Sequence, residues 1–165
     1  MSRAGPLFLL LSISACVAMA EWTSVGPPAG PLYAAAAGSD HPPTIYAATL
    51  YYPMPVARST DGGETWRFTG GVLSTYSSEM VVDPGNSDVV YAIVSGRVRK
   101  TTDAGESWTL VPTPADLYIT GFDLNPLNPA VVYISASCSS RVVVGRSTDA
   151  GATWRSFVCD STEGR

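Results

Sequence analysis

The sequence predicts an all-β fold, a partial β-propeller of about three four-stranded blades. Two observations predict it. Trp22, Trp66, Trp108 and Trp154 fall 44, 42 and 46 residues apart, and the last three close octets of nearly the same lettering: Ser59–Trp66 (STDGGETW), Thr101–Trp108 (TTDAGESW) and Ser147–Trp154 (STDAGATW). Upstream of each octet an apolar segment carries a tyrosine, and Tyr46, Tyr91 and Tyr133 are 45 and 42 residues apart, in step with the tryptophans. Recurrence at such a period marks a repeat architecture.

Within a repeat, segments rich in Val, Ile, Tyr and Thr alternate with clusters of Gly, Asn, Asp and Pro, the pattern of short strands and tight turns. The middle copy reads as four strands near residues 78–82, 89–94, 96–101 and 107–111. Asp83–Pro84 and Asn125–Pro126 occupy matching offsets before the tyrosine strands, each followed by turn residues. Beyond the amino-terminal segment no sustained helical period appears, so no crossover helix is available for a parallel sheet. Four antiparallel strands in about 40–45 residues match a propeller blade. A plain sandwich is the rival, but sandwich strands need not repeat in sequence. The repeats run over about 32–70, 71–113 and 114–160.

Residues 1–20 read as an export signal: Arg3, an apolar run over 7–20, and Ala18–Met19–Ala20 before Glu21 as a cleavage site. A run of that length is short for a membrane span. Ile13–Ser14–Ala15–Cys16 also resembles a lipobox, which would anchor the protein through lipid on Cys16. The expected location is secreted, extracellular or periplasmic, with lipid anchoring as the alternative. Cleavage leaves residues 21–165 with Cys138 and Cys159; these are expected to pair across the last repeat, two free thiols or a metal site being the alternatives. The single His41 lies far from both, which argues against zinc, and no metal or cofactor is expected.

The formal net charge is −4. Basic residues are scattered apart from Arg97, Arg99 and Lys100, which read as a solvated edge, so no nucleic-acid partner is expected.

Each octet has a physical reading. Asp61, Asp103 and Asp149 precede Gly63, Gly105 and Gly151 by two residues, the combination of a turn whose carboxylate accepts nearby N–H groups while glycine takes a positive φ. Ser59, Thr101 and Ser147 before the Asp, and Thr65, Ser107 and Thr153 before the Trp, complete the bonding. Trp66, Trp108 and Trp154 then wedge one unit against its neighbour. The reading is a folding device used three times, with a cation- or sugar-binding carboxylate as the alternative.

These octets resemble the Asp box, or bacterial neuraminidase repeat, of sialidases, sortilin-type receptors, xyloglucan-cleaving endoglucanases and photosynthetic assembly factors. The resemblance covers about residues 32–158 and speaks to fold rather than function. It implies that the box lies in the hairpin between the third and fourth strands of a blade, on the outer rim. It implies for a sialidase three arginines, a tyrosine nucleophile with a glutamate partner, and an acidic aspartate; no residue here matches those roles, and Arg58 belongs to the outer hairpin. A hydrolase would need two carboxyls across a cleft. The innermost strands nominate Glu79 and Asp83 in one blade and Asp116 and Asp123 in the next, although Asp83 and Asp123 adjoin turns that can account for them.

Propellers close with roughly four to eight blades. Three repeats therefore point either to part of a longer product or to self-association that completes a ring, with the segment around Trp22 lending a strand. The Tyr51–Tyr52 insertion, stiffened by Pro53 and Pro55, is a candidate ligand loop, or else a cover for the flank of the first blade. The expected function is a secreted or cell-surface, non-catalytic propeller that binds a protein or glycan, with a sialidase- or xyloglucanase-type glycoside hydrolase as the alternative.

Overall fold

The structure is a computed structural model. It describes residues 26–27, 31–49, 55–73, 77–114, 117–138 and 141–159, with the backbone alone at 72, 77, 138, 141 and 156–159. The described residues form twelve strands in three four-stranded antiparallel sheets and contain no helix.

Blade 1 comprises β1 (Leu32–Ala37), β2 (Ile45–Thr49), β3 (Pro55–Ser59) and β4 (Arg67–Val72). Blade 2 comprises β5 (Ser77–Asp83), β6 (Asn86–Val94), β7 (Arg97–Thr101) and β8 (Thr109–Leu110), and blade 3 comprises β9 (Tyr118–Leu124), β10 (Val132–Cys138), β11 (Arg141–Ser147) and β12 (Arg155–Cys159). Every sheet is a simple meander in chain order. The first strands follow one another in space, β1 beside β5 and β5 beside β9, which sets the three sheets side by side as consecutive blades. The middle repeat departs from its expected bounds in two places. Its second strand begins three residues early, because Asn86 still pairs with Asp83, and its fourth strand shrinks to two residues after the box.

The middle blade is buried on both faces, and its sequence shows why. From Val90 to Val94 every residue of β6 is buried, a continuous apolar run of the kind that a strand covered on both sides requires. Alternation sends Val90, Ala92 and Val94 toward blade 1, where they meet Tyr46, Ala48, Val56, Met80 and Val82. Tyr91 and Ile93 point the other way, into a cluster with Val98, Ile119, Phe122, Leu124, Val132, Ile134 and Val143 of blades 2 and 3. Each fully buried Val, Leu, Ile, Phe or Met side chain among them contributes about 1.5–3 kcal/mol. The core is therefore two slabs, one per junction.

Candidate functional site

The three boxes occupy the β3–β4, β7–β8 and β11–β12 hairpins. In the first, Ser59 Oγ donates to Asp61 Oδ1 at 2.7 Å and accepts the Gly63 N–H at 2.8 Å, while Asp61 accepts the N–H and the hydroxyl of Thr65. Thr101–Asp103–Ser107 and Ser147–Asp149–Thr153 repeat the pattern bond for bond. The hydroxyls of Thr65, Ser107 and Thr153 are the leading cause that holds each aspartate down at about 2, aided by the neighbouring N–H groups and the hydroxyls of Ser59, Thr101 and Ser147. All three carboxylates are thereby engaged within their own turns.

The sequence reading missed one feature of these turns. The backbone goes left-handed at two successive residues: Gly62 and Gly63, Ala104 and Gly105, Ala150 and Gly151, with φ of 55–74° at the first and 90–99° at the second. The amide of the first donates to its own blade at Pro43 O and Ala130 O, both just before the second strand, and at Asp88 O near the start of β6. Glu106 was also missed. Its carboxylate accepts the Gly70 N–H at 2.7 Å and pairs with Arg67 at 2.9 Å, tying the second box to the outer strand of blade 1. Trp108 packs against the first junction, where Gly71 leaves room for the indole: a Cβ there would lie 2.6 Å from its Cδ1. Trp154 closes the second junction, donating to Pro112 O at 2.7 Å.

A second repeated unit faces along the row of blades. The tyrosine of each second strand pairs in register with a cation of the third: Tyr46 with Arg58, Tyr91 with Lys100, Tyr133 with Arg146. In blade 1, the Arg58 guanidinium lies 5.8 Å from the Tyr46 ring and bonds Asp88 of blade 2 at 2.9 Å, while the Tyr46 hydroxyl donates to Ser87 O at 2.8 Å. Burial pushes the Tyr46 phenol up to about 12. In blade 2, Lys100 lies 5.0 Å from the Tyr91 ring, which stacks on Phe122 of blade 3 at 4.8 Å. Lys100 thus belongs to a blade junction and not to the solvated edge that its neighbourhood suggested. Tyr46 and Tyr91 are 0% and 2% exposed; Tyr133 is 40% exposed.

A cleft of about 520 Å³ opens beside Tyr133, lined by Glu79, Gly121, Asp123, Ser135 and Val144 among others. It brings together two of the nominated carboxylates. Glu79 reaches across from β5 to accept the Phe122 N–H at 3.1 Å; burial is the main influence on its carboxyl and raises it, the Phe122 amide lowers it, and the nearby Asp123 charge raises it. Asp123 accepts the N–H of Leu124 at 2.8 Å. Asp83 stays at its turn, accepting the Gly85 N–H at 2.8 Å. By repeat position Asp123 corresponds to Val81, which packs against the junction between blades 2 and 3, and Gly121 corresponds to Glu79. The cleft is therefore the blade 3 version of a surface that is filled between blades 2 and 3.

Asp116, Tyr51, Tyr52, Cys16 and the segment around Trp22 lie outside the described residues. Cys138 and Cys159 end strands that flank β11, opposite Arg141 and Val142 respectively. Two strand spacings amount to about 9–10 Å, longer than the roughly 7 Å between Cα atoms that a disulfide spans. The sheet does not bring this pair together. Among the described residues no group of three or more His, Cys, Asp or Glu gathers to hold a metal ion, and no helix is long and apolar enough to cross a membrane.

Comparison with known proteins agrees with this geometry. Residues 57–68 match the BNR/Asp-box repeat. No curated protein sequence matches significantly. Among solved structures, a GH74 enzyme from Niastella koreensis is similar with a TM-score of 0.62 and 18% identity, over 79% of this chain and 23% of that one. YCF48 from Cyanidioschyzon merolae is similar with a TM-score of 0.59 and 19% identity, over 82% and 39%. YCF48 bound to D1 peptide is similar with a TM-score of 0.58 and 15% identity, over 83% and 43%. The chain spans under half the length of each of these. At these identities the likeness speaks to fold: the chain has a propeller-like β fold with an Asp box.

Proposed function

We propose that this chain is a secreted or cell-surface propeller-type binding and scaffold protein, and that its binding surface is the open face of blade 3. The observation that carries the reading is the exposed Tyr133, flanked by Asp123 and Arg146 in register, beside a cleft whose repeat equivalents are filled by protein between blades 2 and 3. A partly exposed tyrosine between opposite charges suits a protein surface, where aromatic anchors carry much of the binding energy. The reading is in keeping with the likeness to a YCF48 structure that holds a peptide.

Glu79 and Asp123 support a second reading, a glycoside hydrolase. A carboxyl raised by burial beside another carboxyl resembles an acid/base arrangement, and GH74 enzymes share the fold. Against it stands the employment of Glu79 as acceptor for the Phe122 amide, which gives it a junction role.

The two readings separate in one assay. Xyloglucan and a sialoside are incubated with the chain and with Glu79→Gln, and released sugar is measured. The scaffold reading expects no turnover by either. Turnover that disappears in Glu79→Gln sinks it.

A further inference from the structure

We infer that the groove between the outer strand of blade 2 and the third box binds the carboxyl terminus of a polypeptide that ends in an apolar residue. The site lies at the second junction, between two described blades, and does not depend on what covers blade 3.

The first junction supplies the template. There the cross-strand neighbours Arg58 and Arg67 each take a carboxylate from blade 2, Asp88 at 2.9 Å and Glu106 at 2.9 Å. Glu106 also accepts the Gly70 N–H, so its side chain spans the outer edge of that junction. One blade on, the same repeat positions read differently. Lys100 and Thr109 stand in register where the two arginines were, and Ala130 and Ala152 where the two acids were. Pro112 replaces Gly70 and offers no N–H. The second junction therefore keeps one cation and neither of the carboxylates.

Between these smaller residues runs a groove of about 390 Å³, lined by Lys100, Leu110, Val111, Pro112, Ala150 and Ala152 among others. Lys100 is partly buried, its ammonium 5.0 Å from the Tyr91 ring, and among the described residues it pairs with no carboxylate. Asp149 borders the same groove, but Ser147 and Thr153 engage both of its oxygens within the box. One unmatched positive charge thus adjoins an apolar wall on which Leu110 is 57% exposed.

That pattern selects the ligand. It calls for a carboxylate and an apolar side chain carried on the same carbon, which is the form of a terminal apolar residue. An internal Asp or Glu brings the charge without the apolar group beside it. The sheltered position of Lys100 favours such pairing, because attraction between charges strengthens as water is excluded.

Titration of the isotope-labelled chain followed by NMR tests this with three probes: N-acetylglycylleucine, its carboxamide, and N-acetylglycylserine. The leucine acid should shift the amide signals of Thr109, Leu110, Ala150 and Ala152 along a saturable curve. The carboxamide and the serine acid should each bind several-fold more weakly. Lys100→Met should weaken the leucine acid by up to about fivefold, the worth of one partly exposed ion pair, and added salt should act in the same direction. Ala152→Glu should abolish binding, since it places at this junction the acid that Glu106 supplies at the first. Urea unfolding checks that each variant is folded; where one is not, the three probes on the unaltered chain decide. Absence of a saturable shift with the leucine acid overturns the inference. So does equal binding of the carboxamide or of the serine acid, or leucine-acid binding that a folded Lys100→Met leaves unchanged.

Discussion

The two blade junctions use the same repeat positions for different chemistry. Between blades 1 and 2 the tyrosine is tied by polar contacts: the Tyr46 hydroxyl to Ser87 O, Arg58 to Asp88, and Glu106 back to Arg67 and Gly70. Between blades 2 and 3 the tyrosine is held by apolar area, with Tyr91 stacked on Phe122 inside a larger slab of Ile, Leu and Val. The repeat sets where a tyrosine points; the facing blade decides how it is satisfied.

The largest test of that difference removes the apolar anchor. Phe122→Ala should cost about 3–5 kcal/mol, measured by urea unfolding. Met80→Ala, the corresponding site at the first junction, should cost less, because Phe122 also loses aromatic stacking worth about 0.5–1.5 kcal/mol. Equal losses would show that the stack adds nothing beyond area.

Acid should act on a feature that both sides of the comparison share. Asp61, Asp103 and Asp149 are held near 2 against an ordinary 3.8. A carboxyl depressed in the folded state favours folding above its unfolded value and loses that contribution as pH falls through its folded value. The melting temperature should therefore fall as pH drops from about 4 to about 2, beyond any effect of general charge. Asp103→Asn should shallow that acid limb. A limb unchanged in Asp103→Asn would separate the boxes from acid stability.

Smaller substitutions probe the polar junction alone. Tyr46→Phe should cost about 1 kcal/mol, the net worth of a hydrogen bond whose loss leaves a half-sheltered carbonyl, whereas Tyr91→Phe should cost less. A double-mutant cycle on Arg58 and Asp88 should return about 0.5–1 kcal/mol, reduced by salt, since Asp88 is more than half exposed. Coupling near zero would leave the Tyr46 hydroxyl and the Glu106 contacts as the polar ties of this junction.

Much of this frame is legible in the sequence because each repeated letter has a local cause. The boxes announce their hairpins through Asp61, Asp103 and Asp149, whose hydrogen-bond partners lie within four residues along the chain. The tyrosines likewise mark the second strands. Contacts between blades are harder to read, since Glu79 and Phe122 are 43 residues apart and nothing local joins them. That is why Glu79 reads from sequence as a catalytic candidate and appears in the fold as a junction acceptor. Register also decides the cysteines: separation along the chain permits a pair, and the strand between them keeps their positions apart. Aligning Arg58, Lys100 and Arg146 beneath their tyrosines would have exposed the junction unit, but that signal lies in the pairing of two strands rather than in either alone.

The finest comparison lies inside the boxes, where the first left-handed position is Gly62 in blade 1 but Ala104 and Ala150 in blades 2 and 3. An L-residue in that conformation costs roughly 1–2 kcal/mol, and glycine relieves it while giving back about 0.4–1 kcal/mol through a freer unfolded chain. Burial then divides the two alanines. Ala104 is 7% exposed, so trimming its methyl also forfeits up to about 0.8 kcal/mol, and Ala104→Gly should be close to neutral. Ala150 is only partly buried and loses less, so Ala150→Gly should raise stability by a few tenths of a kcal/mol. Matched thermal melts of the two variants check the order. If Ala104→Gly stabilised more than Ala150→Gly, the strain at blade 2 would outweigh its packing, and the boxes could no longer be treated as equivalent turns that differ only in what covers them.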